Sequence, residues 1–192
     1  MIELSPEAFA FETGRLRARP LADNDESLYC DLYTDPETMQ HIGPPFSAEK
    51  ARRSFNSAMN LLRRQPIGWV FVVYEEKSSG NAVGFSSIPH FDGQAKRLEI
   101  GIMLRKDARG QGYAREGLGG LTSHLFAIAA VDQLYMECSP DNSAIQALAA
   151  DAGFSRDDRI ESQDRTTIIW SLDRGIRCQP GSNATNPRRD HV

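Results

Sequence analysis

The sequence is poor in cysteine: Cys30, Cys138 and Cys178 are the three in 192 residues. They are scattered, with no metal-ligand spacing and no paired framework, which excludes a zinc scaffold or a disulfide-stapled fold and leads us to expect no metal. A reducing cytoplasm is the expected location. Long apolar runs are lacking too. The longest, residues 125–131, falls far short of the ~20 residues that a membrane helix needs. The first residues carry acids and no basic-then-apolar layout, so no signal peptide is expected. Positive charge is not in excess: 22 Lys and Arg against 26 Asp and Glu give a net −4. Nucleic acid is therefore not expected as the main ligand, because backbone binding requires clustered cations. The balance is mildly compatible with a cationic acceptor. There are no internal repeats, and the length suits one domain.

The apolar residues that are present follow clear periods. Leu16 and Ala18 alternate with charge before Pro20, predicting a short strand. Asp23 and Glu26 resemble a capping box ahead of a helix carrying Leu28, Leu32 and Tyr33. Ser47 is placed to cap a second helix with Phe55, Met59 and Leu62 on one face. The period then becomes extended at residues 69–74, 82–87 and 98–104. A long helix is predicted over 113–130, a strand over 134–138 and a helix over 143–152. A last extended pair is expected around Ile160 and over 166–172. Hairpins followed by strand–helix–strand imply an α+β, mixed α/β three-layer domain, with helices flanking a central mixed, mostly antiparallel sheet. We expect an N-terminal extension over 1–12, the domain over 13–174 and a disordered tail over 175–192, where apolar periodicity ends.

The most informative segment runs from Arg105 to Ala114, between an apolar strand and the long helix. First-turn amides at such a junction lack intrahelical partners, and the helix dipole adds partial positive charge, which suits a phosphate or pyrophosphate. Gly110 and Gly112 allow unusual backbone angles and a close approach. Arg115 stands where a dinucleotide fingerprint needs a third small residue, and no Gly-Lys-Ser/Thr follows for a P-loop. Arg109 either orients the loop or sits near phosphate oxygens.

Arg109-x-x-Gly112-x-Ala114 resembles the pyrophosphate motif of the GNAT superfamily of N-acetyltransferases. Also similar, in order, are Thr13-x-Arg15-Leu16-x-x-Arg19-Pro20-Leu21, Asp35-Pro36-Glu37-x-Met39, Leu98-Glu99-Ile100-Gly101, Asn142 and Gly153-Phe154. Together they resemble the RimJ/RimL-like branch, the ribosomal-protein-alanine acetyltransferase-like enzymes, over about residues 13–172. The resemblance implies a GNAT-like fold and acetyl-CoA as cosubstrate. It implies that Ile102, Met103 and Leu104 pair by backbone with the pantetheine arm, and that Asn142 hydrogen-bonds it. Arg109, Gly110, Gln111, Gly112, Tyr113 and Ala114 would hold the pyrophosphate. The acetyl group would pass directly, in a ternary complex, to a primary amine on a protein N-terminus or a small molecule. Homodimers occur among similar proteins, so a homodimer is a possible assembly.

Acetyl transfer to an amine needs a base, because amines are largely protonated near neutral pH. Glu99 is the candidate: it stands in an apolar strand on the face opposite Leu98, Ile100 and Ile102, and glutamate is depleted in strands. Backbone amides near Met103 or Leu104 are the candidates to polarise the thioester carbonyl. The usual Ser and Tyr positions of the family are Ile145 and Ala149 here, so no acid carries over, and Tyr113 and Ser139 are the hydroxyls left to consider. Those two losses also motivate the alternative of a non-catalytic acyl-CoA-binding or sensing module. Cys138 reads as a buried small hydrophobe rather than an acyl carrier. His41 and His90 read as loop residues, Trp69 and Phe71 as core, and Arg115 and Glu116 as a solvated helix face.

Overall fold

The computed structural model describes residues 4–92, 94–157 and 167–175. Two sheets share one interrupted strand. The first has the order β1 (Phe11–Glu12), β2 (Leu16–Pro20), β3 (Val70–Glu76), β4 (Ala82–Ile88), β6 (Gly101–Leu104), and every pair in it is antiparallel. The second has the order β5 (Arg97–Glu99), β7 (Gln133–Cys138), β9 (Ile168–Asp173), β8 (Ser155–Arg156), with β5 and β7 parallel. The sequence reading over 98–104 expected one strand. The chain breaks it at Ile100 and gives its two halves to different sheets.

Strand alternation sorts the core into two layers. Val70, Val72 and Tyr74 of β3 join Leu98, Ile100 and Leu104 beneath the long helix α4 (Tyr113–Ile128), which contributes Leu118, Leu121 and Leu125. Phe71 and Val73, on the other face of β3, pack with Phe85 under α1 (Glu26–Thr34) and α3 (Ala48–Leu62). An aromatic cluster knits this second layer: Tyr29 stacks on Phe85 at 5.6 Å and meets Phe55 edge-on at 5.6 Å. The fold is thus the mixed, three-layer α+β arrangement that the residue pattern implies. The last helix, α5 (Ser143–Asp151), packs Ala149 into the first layer.

Local chemistry explains most boundaries. Ser47 caps α3 by accepting a bond from the Lys50 amide at 3.2 Å, as its position suggests. Asp35 does not simply end α1. Its carboxylate accepts from the Thr38 amide at 2.7 Å and opens a short helix, α2 (Pro36–Met39). The expected capping role of Asp23 goes elsewhere: Asp23 pairs with Arg63 at the surface. Asp25 takes the buried position, receiving the Ala22 amide at 2.8 Å and both Nη atoms of Arg19 at 2.6 and 2.8 Å. Residues ahead of the first expected strand also pack: Phe9 is fully buried, and β1 pairs with β2. The expected strand around Ile160 and the expected tail beyond Gly175 lie outside the described residues.

The approach of β4 to β6 is very close at Gly84, where an added Cβ would lie 2.2 Å from the Met103 carbonyl oxygen and 2.6 Å from Leu104 Cδ2. Gly84→Ala must push β6 away from β4. We expect a loss of about 1–3 kcal/mol, the usual cost of overpacking, read as a lower urea midpoint with an unchanged slope.

Candidate active site

The break at Ile100 creates the site. The Ile100 amide donates to the Tyr135 carbonyl at 2.8 Å, the last bond joining β5 to β7. Beyond it β6 turns to β4, β7 continues along β9, and a wedge opens between them. Its edges are defined by ladder alternation. The Arg105 amide bonds the Val83 carbonyl at 2.9 Å, so the register of Met103 with Phe85 commits the backbone of Gly101 and Met103 to β4. Ile102 and Leu104 therefore turn their amides into the wedge. Of the three residues expected to meet the pantetheine arm, these two have the free edge, and Met103 does not.

At the wide end of the wedge lies the glycine loop. Gly110 (φ 72°) and Gly112 (φ 81°) are both left-handed, a conformation that a Cβ disfavours. Gly112 is the N-cap of α4 and offers no side chain, so the first-turn amides, including those of Tyr113 and Ala114, are left to an external acceptor. A 16-residue helix stands behind them. Gln111 folds back, its Nε2 donating to the Asp107 carbonyl at 2.7 Å. This end of the structure fits a pyrophosphate.

Arg109 is a strut. Its Nε donates to the Leu104 carbonyl at 3.3 Å, one Nη to Glu37 at 2.9 Å and the other to Thr38 Oγ1 at 2.5 Å. It ties the end of β6 to α2, so its side chain orients the loop. A cavity of about 350 Å³, lined by Asp31, Asp35, Thr38 and Arg105 among others, adjoins this strut on the α2 side, away from Glu99. Asn142 caps α5, its Oδ1 accepting from the Ile145 amide at 3.1 Å. Only its Nδ2 donors remain for a ligand.

Glu99 stands at the apex. Its neighbours across the parallel register are Tyr135 and, one pleat on, Glu137. Burial, then the Glu137 charge, raises the Glu99 carboxyl above its ordinary pKa, against the opposing effects of His90 and the Tyr135 hydroxyl. His90 thus belongs to the site's electrostatics, and its ring packs 5.5 Å from Trp69. Neither Tyr135 nor Glu137 was among the candidates from sequence, because only the strand register shows that they share a face with Glu99. Of the hydroxyls considered, Tyr113 donates to Glu76 and lies under the Arg15 guanidinium, away from the apex. Ser139 Oγ accepts from the Asp141 amide at 3.3 Å. Ile145 and Ala149 are part of the apolar packing of α5. Cys138 is buried, which raises its thiol pKa and disfavours the nucleophilic thiolate.

One expectation is overturned. Glu116 is no solvated residue: its carboxylate accepts from Thr13 Oγ1 at 2.6 Å, the Arg15 amide at 2.6 Å and Arg15 Nε at 2.7 Å. Arg15 in turn donates to the Gln111 carbonyl at 2.9 Å. The segment before β2 thereby staples the glycine loop to the first turn of α4.

The chain as a whole resembles known proteins. The Acetyltransferase (GNAT) domain family matches residues 15–155, most of the chain. The chain belongs to the GNAT acetyltransferase family. An uncharacterized N-acetyltransferase, p20, of Bacillus licheniformis is 23% identical over 156 residues, 80% of this chain and 86% of that protein. The Salmonella typhimurium acetyl transferase that modifies the N-terminal serine of ribosomal protein L7/L12 has a TM-score of 0.69 at 17% identity, covering 84% of this chain and 96% of that one. Spermidine N-acetyltransferase from Vibrio cholerae, solved with CoA and spermine, has a TM-score of 0.70 at 15% identity, covering 87% of this chain and all of that one, 100%. At such identities the likeness is one of fold. This GNAT domain is an acetyltransferase with RimL-type structural neighbours, and among the described residues no helix is long and apolar enough to cross a membrane.

The Glu116 network has a pH signature. Burial works to raise its pKa, but the bonds from Thr13 and Arg15 outweigh that and leave it below the ordinary value. A depressed folded-state pKa adds stability above the unfolded pKa of about 4.3, and that stability is lost as pH falls through the folded value. Glu116→Gln should therefore melt lower than wild type at pH 7, by about 1–2 kcal/mol. The gap should close in thermal melts as pH drops below about 4.

Proposed function

We propose that this protein transfers the acetyl group of acetyl-CoA to a primary amine within a ternary complex, with Glu99 as the base. The observation that carries the reading is the wedge itself. It combines two free strand amides, a glycine-capped helix start suited to a phosphate at one end and a half-buried carboxylate at the other. The pantetheine arm would run from residues 109–114 along Ile102 and Leu104, with the Asn142 amide donors opposite. Its thioester would then lie at the apex. The amide of Ile102, the nearer of the two to the apex, would polarise the carbonyl there, and a fixed donor that meets developing negative charge is among the larger catalytic effects.

The acceptor would approach on the face that carries Glu99, Tyr135 and Glu137. Two carboxylates there favour a cationic amine, and Glu99, more basic than an ordinary carboxylate, is suited to take its proton. A peptide α-amine and a small polyamine both fit that description, in keeping with the acceptors that the Salmonella and Vibrio enzymes' descriptions name. The same reading places the protein in the cytoplasm, where acetyl-CoA is available.

Thiol release from acetyl-CoA, measured across basic N-terminal peptides and small amines, tests the reading. We expect turnover with at least one acceptor, and a fall of about 100-fold in kcat for Glu99→Gln with CoA affinity kept. The acid limb of kcat/KM should lie above the ordinary carboxylate range, and Glu137→Gln should move it to lower pH by removing a like charge. Calorimetric CoA binding without turnover of any acceptor would instead support a sensing module, and no CoA binding would defeat both.

A further inference from the structure

The acetyl transfer proposed above leaves a thiolate that needs a proton, and the two helix positions that often supply a hydroxyl hold Ile145 and Ala149. Two residues on the strands at the apex are otherwise unexplained. Tyr135 stands opposite Glu99 in the β5–β7 register, and its hydroxyl is close enough to act against the rise in the Glu99 pKa. The Arg97 guanidinium lies over the Tyr135 ring, 3.9 Å from its centroid. Two Arg97 nitrogens, Nε and Nη2, are buried without a hydrogen-bond partner. Buried N–H groups of a cation are costly to leave without an acceptor, so this half-buried guanidinium gains from negative charge that develops beside it. The nearest group able to acquire such charge is the phenol beneath it. Because the wedge closes at the Tyr135 carbonyl, a thioester lying at its apex is beside this residue.

We propose that Tyr135 protonates the departing thiolate, that Arg97 stabilises the phenolate so formed, and that Glu99 returns the proton. The inference rests on the acetyltransferase reading. Glu99 first passes the ammonium proton of the bound amine to water and is a carboxylate again. The neutral amine then attacks the thioester carbon, the C–N bond forms, and one nitrogen proton passes to the Glu99 carboxylate. As the C–S bond breaks, the electron pair leaves with sulfur, and sulfur takes the Tyr135 hydroxyl proton. The phenolate then takes the proton held by Glu99, which restores both residues. The neutral amine has lost one proton and CoA has gained one, with no outside donor. The other groups facing the pair are Glu137 on the same strand, His90 from the turn after β4, and Ser171 opposite Tyr135 on β9, which donates to Asp157 at 3.1 Å. Burial, followed by the carboxylates of Glu99 and Glu137, keeps the phenol protonated through neutral pH, with Arg97 opposing.

Tyr135→Phe keeps the ring and removes the proton. With an acceptor that wild type turns over, we expect kcat to fall by about 100-fold, with the KM for acetyl-CoA and the calorimetric Kd for CoA within twofold of wild type. Glu99→Gln combined with Tyr135→Phe should be no slower than the slower single variant, because residues of one relay are not additive. Arg97→Met should lose part of kcat, and Arg97→Lys should recover some of it. A wild-type kcat in Tyr135→Phe would overturn the relay while leaving the acetyltransferase reading intact. Losses that multiply in the double variant, or a parallel loss of CoA affinity, would overturn it as well. Absence of wild-type turnover with every acceptor would instead refute the underlying reading.

Discussion

Everything at the site depends on one backbone event, the hand-over of the strand through residues 97–104 from one sheet to the other. Up to Ile100 its amides serve β7, and after Ile100 the strand belongs to β4. A regular sheet satisfies its own edges and offers nothing to a ligand. Two sheets that part company leave two strand amides unpaired inside the molecule. Those amides are the cost of the divergence unless a partner arrives, and an extended amide-bearing chain such as pantetheine is the partner whose chemistry matches.

The rest of the structure holds that opening in shape. Arg109 fastens the end of β6 to α2, and Arg15 and Glu116 fasten the glycine loop to the first turn of α4. Each fixes backbone by a charged side chain that donates or accepts several bonds at once, which is more directional than apolar packing. The loop can then present amides without being held by the ligand itself. At the opposite end the site is built from strand residues alone. Arg97, Glu99, Tyr135 and Glu137 share one half-exposed face, whereas Leu98, Leu134 and Met136 on the other face are fully packed.

Periodicity made much of this legible. The alternation of Leu98, Ile100 and Leu104, the helical spacing of Leu118, Leu121 and Leu125, and the Ser47 cap are local patterns, and each is realised. The split at Ile100 leaves no such mark, because both halves keep the same alternation and only their partners differ. Glu116 read as solvent-facing because its partners, Thr13 and Arg15, are distant in sequence. Tyr135 and Glu137 went unnoticed for a related reason. Their own strand shows which residues share a face, but which face meets Glu99 is a matter of register between segments separated by a whole helix. The sequence resemblance to GNAT enzymes points to the glycine loop and says little of the acceptor side, since the loop is a contiguous motif and the acceptor face is assembled from several elements.

The most direct test of the wedge as the acetyl-CoA site is residue-resolved amide hydrogen exchange, with and without saturating acetyl-CoA. The amides of Gly101 and Met103, paired with β4, should be protected in both states. Those of Ile102 and Leu104 should exchange faster in the free protein and slow markedly once the ligand is bound. If Ile102 and Leu104 exchange at the same rate in both states, the pantetheine arm lies elsewhere, and the account given for this site fails.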